Sequence, residues 1–224
     1  MHRRTLLLIT LLIASLLPVT AQEDDPLPLY ALPDSFSNPA FMSGSSVVTQ
    51  AGRLILANTF NNTVSIIEPW NSIVTAEITV GDEPTGVAIT RDSAFALSVS
   101  HGAGTLTIVD IVALAKINEF FVGGQPFSIV TDNNRSAFVS LQGSHEVVEI
   151  DISTGETLRQ MPTNDYPAGM ALWGDFLYVT HLWSGQISLI YLPEGKVVRV
   201  IETGTQSSLT PNILIEAQEG IAYI

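Results

Sequence analysis

Pro84 opens the segment PTGVAITRDSAFALSVSHGAGTLTIVDIVALAKINEFFV, and the chain then writes that segment again from Pro126 and a third time from Pro167, with openings 42 and 41 residues apart. No other feature narrows the choice of fold as much. A spacing of this size means that each copy is one small supersecondary unit, unable to bury its apolar faces alone and stable only when stacked on its neighbours.

Within each copy the apolar residues form four short β-rich runs. In the copy from Pro84 these cover 86–89, 94–99, 105–110 and 116–121; in the next, 127–131, 136–141, 146–151 and 157–161; in the third, 169–173, 176–180, 186–191 and 196–202. Polar or glycine-bearing turns separate them, among them Arg91-Asp92-Ser93, Ser153-Thr154-Gly155 and Pro193-Glu194-Gly195. Runs this short with turns this tight predict antiparallel meanders, and none carries the 3.6-residue stripe of a helix. An earlier copy starts near Ser45 without a leading proline, its turns at 50–52, 59–62 and 69–72.

A four-stranded sheet with two apolar faces is satisfied when sheets stack radially, which predicts an all-β propeller of four-stranded antiparallel blades. The expected blades are 45–83, 84–125, 126–166 and 167–208, with 209–224 beginning a fifth, so that the ring is incomplete in this chain and the plain expectation is the front part of a longer protein.

The motifs agree. Tyr178-Val179-Thr180-His181 is followed four residues later by Gln186-Ile187-Ser188-Leu189-Ile190; Pro84-Thr85-Gly86-Val87-Ala88 has the form P-x-G-V-A; and Thr63-Val64-Ser65-Ile66-Ile67-Glu68 and Thr105-Leu106-Thr107-Ile108-Val109-Asp110 close their copies alike. In these features the chain resembles the YVTN family of β-propeller repeats from about Ser45 onward. Thr90-Arg91-Asp92-Ser93 and Thr131-Asp132-Asn133-Asn134 replace the family's usual P-D-G turn. Exported bacterial proteins of this type are similar to propellers that precede a di-haem cytochrome c peroxidase-like region, so the resemblance implies a redox enzyme, with haem in a downstream region, as one alternative. A propeller lactonase is another. The leading expectation is a non-catalytic scaffold or binding module for a protein or an adjoining domain, because propellers host many activities.

Lys and Arg number 9 against 22 Asp and Glu, for a net charge of −13. Such a surface repels nucleic acid and anionic membrane and favours cationic or metal partners, or serves solubility alone. The chain holds no Cys, which rules out disulfides, thiolate metal sites and the C-x-x-C-H attachment of haem within it. Residues 1–21 read as an export signal: Arg3 and Arg4, an apolar run from Thr5 to Leu17, and Val19-Thr20-Ala21 as the cleavage site. Its removal would place the chain in the periplasm or outside the cell and leave no membrane segment. A proline-rich lead-in, 22–44, follows, and it can supply a strand to a sheet elsewhere.

Chemistry-bearing residues are few. Asn58, His101, Leu141 and His181 are read as occupying the family's Asn position in successive copies. Two such histidines suggest metal binding or proton transfer, but neighbouring sheets lie about 10 Å apart, too far to share one ion. The plainer reading makes each a turn-end polar side chain bonding the backbone of its own loop, as for His145, and an Ala substitution of His101 or His181 is then expected, as at a surface position, to change stability by less than about 1 kcal/mol. Asp82, Glu83 and Asp165, on the loops leading into the innermost strands, are the candidate ligands for a hard cation such as calcium, without the spacing of a dedicated calcium loop. Of the tryptophans, Trp173 is expected to pack between blades, while Trp183, with His101 and His181, is a candidate for partner contact. There is no G-x-S-x-G, H-E-x-x-H or phosphate loop.

Overall fold

The computed structural model describes residues 42–43, 46–131, 133–203, 216–218 and 221–223. The export signal, nearly all of the lead-in and most of the fifth copy lie outside the described residues.

Four antiparallel meanders follow one another along the chain. The first is β2 (Val47–Gln50), β3 (Arg53–Asn58), β4 (Thr63–Glu68) and β5 (Ile73–Thr79). The second is β6 (Pro84–Ile89), β7 (Phe95–Ser100), β8 (Thr105–Asp110) and β9 (Ala115–Phe121). The third is β10 (Pro126–Val130), β11 (Ser136–Leu141), β12 (Glu146–Asp151) and β13 (Thr157–Pro162). The fourth is β14 (Pro167–Trp173), β15 (Phe176–His181), β16 (Gln186–Tyr191) and β17 (Lys196–Glu202). A single 3-10 turn, Pro69–Asn71, is the one helical element among the described residues. β1 (Met42–Ser43), from the lead-in, pairs antiparallel with β14 and makes the fourth sheet five-stranded, the role foreseen for that segment. The strands β18 (Glu216–Gln218) and β19 (Ile221–Tyr223) form a separate pair.

The sheets stack face to face, and the alternation of side chains along each strand decides which neighbour each residue meets. Val87, Ile89, Ala96 and Val109 of the second sheet pack with Ile55, Val64, Ile66 and Ile78 of the first. Their sequence neighbours Ala88, Leu97, Leu106 and Ile108 point the other way, into a core with Ile129, Val139, Val148 and Ile150 of the third sheet. Val130, Phe138, Val147 and Met161 then meet Met170, Leu177, Val179 and Ile190 of the fourth. Inner strands covered on both faces are therefore buried without alternation, as in β14, whereas the fourth strand of each sheet is largely exposed. That gradient from inner to outer strand, together with the serial stacking, is the arrangement of a propeller, although the four sheets do not close into a ring among the described residues.

Side-chain-to-backbone hydrogen bonds tie each sheet to the next. Thr59 Oγ1 donates to the Pro84 carbonyl at 2.8 Å, Thr85 Oγ1 to the Phe127 carbonyl at 2.8 Å, and Ser140 Oγ to the Ala168 carbonyl at 2.8 Å. The inner strands approach closely enough that a Cβ on Gly86 would lie 3.0 Å from the Phe127 oxygen and 3.2 Å from Ser128 Cα. The prolines at 84, 126 and 167 begin these strands, where a missing N–H disturbs the ladder least.

Turn chemistry repeats as well. Where the P-D-G turn is absent, Thr90 and Asp92 make the equivalent: Asp92 Oδ1 accepts from Ala94 N–H at 3.0 Å and from Thr90 Oγ1 at 2.7 Å, and the hydroxyl bond holds the Asp92 carboxyl below its usual pKa. Asn133 caps the matching turn of the third sheet.

Candidate interaction face

Because strands alternate in direction, the turns between second and third strands and the connectors from one sheet to the next share one end of the stack. Hydrogen bonds hold them together there. The connector residue Glu83 accepts at its carbonyl from His101 N–H at 2.8 Å, Gln125 from Gln142 N–H at 3.0 Å, and Tyr166 from Leu182 N–H at 2.9 Å. All the sequence-derived site candidates lie at this end, but in two separate groups.

In the first group Asn62 bridges to the connector: its Nδ2 donates to Asp82 Oδ1 at 2.8 Å, and its Oδ1 accepts from Glu83 N–H at 3.0 Å. His101 Nδ1 stands 3.6 Å from Glu83 Oε2. In the second group His145 does the work of Asn62. Its Nδ1 accepts from Tyr166 N–H at 3.1 Å, its ring meets that of Tyr166 edge-on at 5.2 Å, and Asp165 Oδ1 lies 3.8 Å away. Asn62 and His145 both adopt left-handed backbone, as do Gly104 and Gly185 in the corresponding turns, so the last residue of the four-residue turn has one conformation in all four sheets.

Two expectations about the histidines need correction. The strands end at Asn58, Ser100, Leu141 and His181, so Ser100, not His101, is the residue equivalent to His181; His101 lies one position further, in the turn. The misplacement arose because Ser98-Val99-Ser100-His101 imitates the motif, whereas the fixed distance to the third strand selects Ser100. His181 itself is not at the surface: it is 4% exposed, with Nε2 2.8 Å from Ser188 Oγ and Nδ1 3.1 Å from the Asp165 carbonyl. A carbonyl only accepts, so Nδ1 carries the proton and Ser188 donates to Nε2. Burial lowers the His181 pKa, outweighing the Asp165 and Asn164 carbonyls that pull the other way. In the first sheet Asn58 makes the same reach, its Nδ2 2.7 Å from Ser65 Oγ. A buried imidazole with both nitrogens engaged is a structural group rather than a contact residue.

Asp82 and Glu83 sit at one sheet junction and Asp165 two junctions away, and among the described residues no group of three or more His, Cys, Asp or Glu is placed to hold a metal ion. Trp183 is 58% exposed and has φ +148°, a backbone region that L side chains rarely adopt. Trp173 is buried at the end of β14.

Two residues at this end went unnoticed in the sequence. Phe60, fully exposed, stands two residues past the end of β3 just as Trp183 stands two past the end of β15, with Gly102 and Gly143 between them in the series. Tyr166, 43% exposed, occupies the connector place of Glu83. Aligning the copies by their third strands would have found both.

No protein-family model matches the sequence, and neither does any curated protein. Solved structures do match: a chain of the Kuenenia stuttgartiensis hydrazine synthase superposes with a TM-score of 0.60 and 25% identity, covering 67% of this chain and 46% of that one. What the two share is a propeller-like fold. The present chain spans less than half the length of that relative, and 892 solved chains match in all, so the likeness speaks for architecture and not for one activity.

Proposed function

We propose that the chain is an exported β-propeller module, of the YVTN-repeat type, that acts as a rigid scaffold for a partner protein or an adjoining domain. One observation carries this reading: three aromatic side chains, Phe60, Tyr166 and Trp183, are exposed at the same end of a stack whose sheets are locked by three continuous cores. Exposed aromatic groups on a rigid body are what anchor protein contacts, since little conformational freedom is lost when they are covered. The leader-like first 21 residues and the absence of Cys fit a periplasmic or extracellular module that carries no covalently attached haem of its own.

Site-specific photo-crosslinking tests the proposal. A photoreactive residue at position 60 or 183 of the full chain, expressed in its own cells, is expected to yield a discrete adduct with an exported protein or domain. Failure to form any adduct from these positions or from positions 70 and 112 at the opposite end would overturn the scaffold reading.

The likeness to a hydrazine synthase chain favours one second reading, in which the module belongs to a redox enzyme whose haem lies outside the present residues. Haem absorbance that travels with the isolated complex would support this alternative, and its absence from the crosslinked complex would remove it.

A further inference from the structure

We propose that the end of the stack bearing the connectors and the second-to-third-strand turns docks a segment of a partner protein rich in Lys and Arg; this deepens the scaffold reading and rests on it. The cations of the described residues are absent from the turns and connectors of one end. The turns 59–62, 101–104, 142–145 and 182–185 and the connectors 80–83, 122–125 and 163–166 contain no Lys or Arg, yet they carry Asp82, Glu83 and Asp165, all exposed. At the opposite end, Arg91 and Arg135 lie in first-to-second-strand turns, and Lys116 and Lys196 follow third-to-fourth-strand turns; the remaining described arginines lie on strands. Acidity is thus spread over the molecule, but only one end is free of compensating cations, and its potential is the more negative for it.

Three exposed aromatics of the turns and connectors, Phe60, Tyr166 and Trp183, lie at that end, against one, Trp70, in a turn at the opposite end. Tyr166 is fixed by its backbone bond to His145 and by ring contact with it, and Asp165 lies beside the same imidazole. Trp183 follows Leu182, whose N–H is bonded to the Tyr166 carbonyl. A carboxylate and two aromatic faces at one sheet junction suit an ammonium or guanidinium group, which gains from both the charge and the ring quadrupole. Phe60 with Asp82 and Glu83 offers the same pairing two junctions away, so that an extended basic segment can engage both groups. Between them the turns bear glycine at 102, 104 and 143, with the Asp82 carboxylate packed against Gly102 and the Phe121 ring against Gly104. The strained backbone of Trp183 is consistent with a side chain held out for contact rather than packed inward.

The test uses fluorescein-labelled octa-arginine, with octaglutamate as counter-probe, titrated into the full chain and followed by anisotropy. Octa-arginine is expected to bind saturably and more weakly as salt rises, and octaglutamate not at all. The variant D82N/E83Q/D165N is expected to lose at least about tenfold in affinity, equivalent to about 1.4 kcal/mol. E156Q/D175N/E194Q, with the same charge change at the opposite end, is expected to lose less than about threefold, well under that energy. Y166A and W183A, which alter no charge, are expected to weaken binding as well. All these positions are exposed, and unchanged circular dichroism confirms folding of each variant. Equal losses in the two triple variants would show attraction to net charge alone and overturn the proposal, as would an aromatic pair without effect. Crosslinks obtained from positions 70 and 112 but not from 60 and 183 would overturn this docking end while leaving the scaffold reading standing.

Discussion

His181 and Ser188 face each other across β15 and β16 with Nε2 and Oγ 2.8 Å apart, in the place where Asn58 and Ser65 face each other in the first sheet. The same position is held by Ser100 and Thr107 in the second sheet and by Leu141 and Val148 in the third, where the pair joins the apolar core. One geometric slot is thus filled by a polar pair at the two outer sheets of the series, a hydroxyl pair in the second and an apolar pair in the third.

Because the His181 imidazole is buried and its two nitrogens are engaged, His181→Ala is expected to cost about 1–3 kcal/mol, from the unpaired Ser188 hydroxyl and the space left behind. Urea denaturation of the variant measures this directly, and a change within about 0.5 kcal/mol would show that the slot is solvated, as surface substitutions usually behave.

The same residue makes stability depend on pH. Its folded pKa lies below the ordinary value of 6.5, so as pH falls through that value the unfolded chain takes up a proton that the folded chain refuses. Stability is therefore full above about pH 7 and declines on acidification from about pH 6.5 until the lower folded pKa is reached. His181→Asn, which copies Asn58, is expected to keep stability at neutral pH within about 1 kcal/mol and to flatten the decline relative to the parent chain. Parallel denaturation series from pH 8 to about pH 5 give the comparison.

Gly86→Ala is expected to destabilise the stack by about 1–3 kcal/mol, because the new methyl group would press on the Phe127 carbonyl and the Ser128 backbone of the next sheet. The thermal midpoint reports it, and a midpoint at or above the parent's would mean that the inner strands can separate without loss.

Ser72, exposed at the end of the Pro69–Asn71 turn, has φ +54°, as Gly155 and Gly195 have φ +74° and +65° at the same place in later sheets. Ser72→Gly relieves that backbone and is expected to stabilise by roughly 0.5–1 kcal/mol. A rise in the urea midpoint at unchanged slope is the expected readout.

Asp82 and Glu83 are separated from Asp165 by two sheet junctions, so calorimetric titration of the full chain with calcium is expected to show no saturable site with these three as ligands. Stoichiometric binding abolished by D165N would reverse that conclusion and support the lactonase alternative.

Much of the architecture is written locally. The bounds of β11, β12, β16 and β17 are those of the β-rich runs, and the third-to-fourth-strand turns fall where Pro69, Ser153-Thr154-Gly155 and Pro193-Glu194-Gly195 place them. Strand length, turn type and repeat spacing depend on backbone preferences of residues close in sequence, and so a single copy already contains them. Whether His181 is covered, whether Phe60 and Trp183 share an end, and where Met42–Ser43 finds its partner strand are different in kind. Each depends on contacts outside the local run, from the Asp165 connector 16 residues before His181 to the β14 partner of Met42, 130 residues on, so burial and contact came from assembled sheets and connectors and not from any one run of residues.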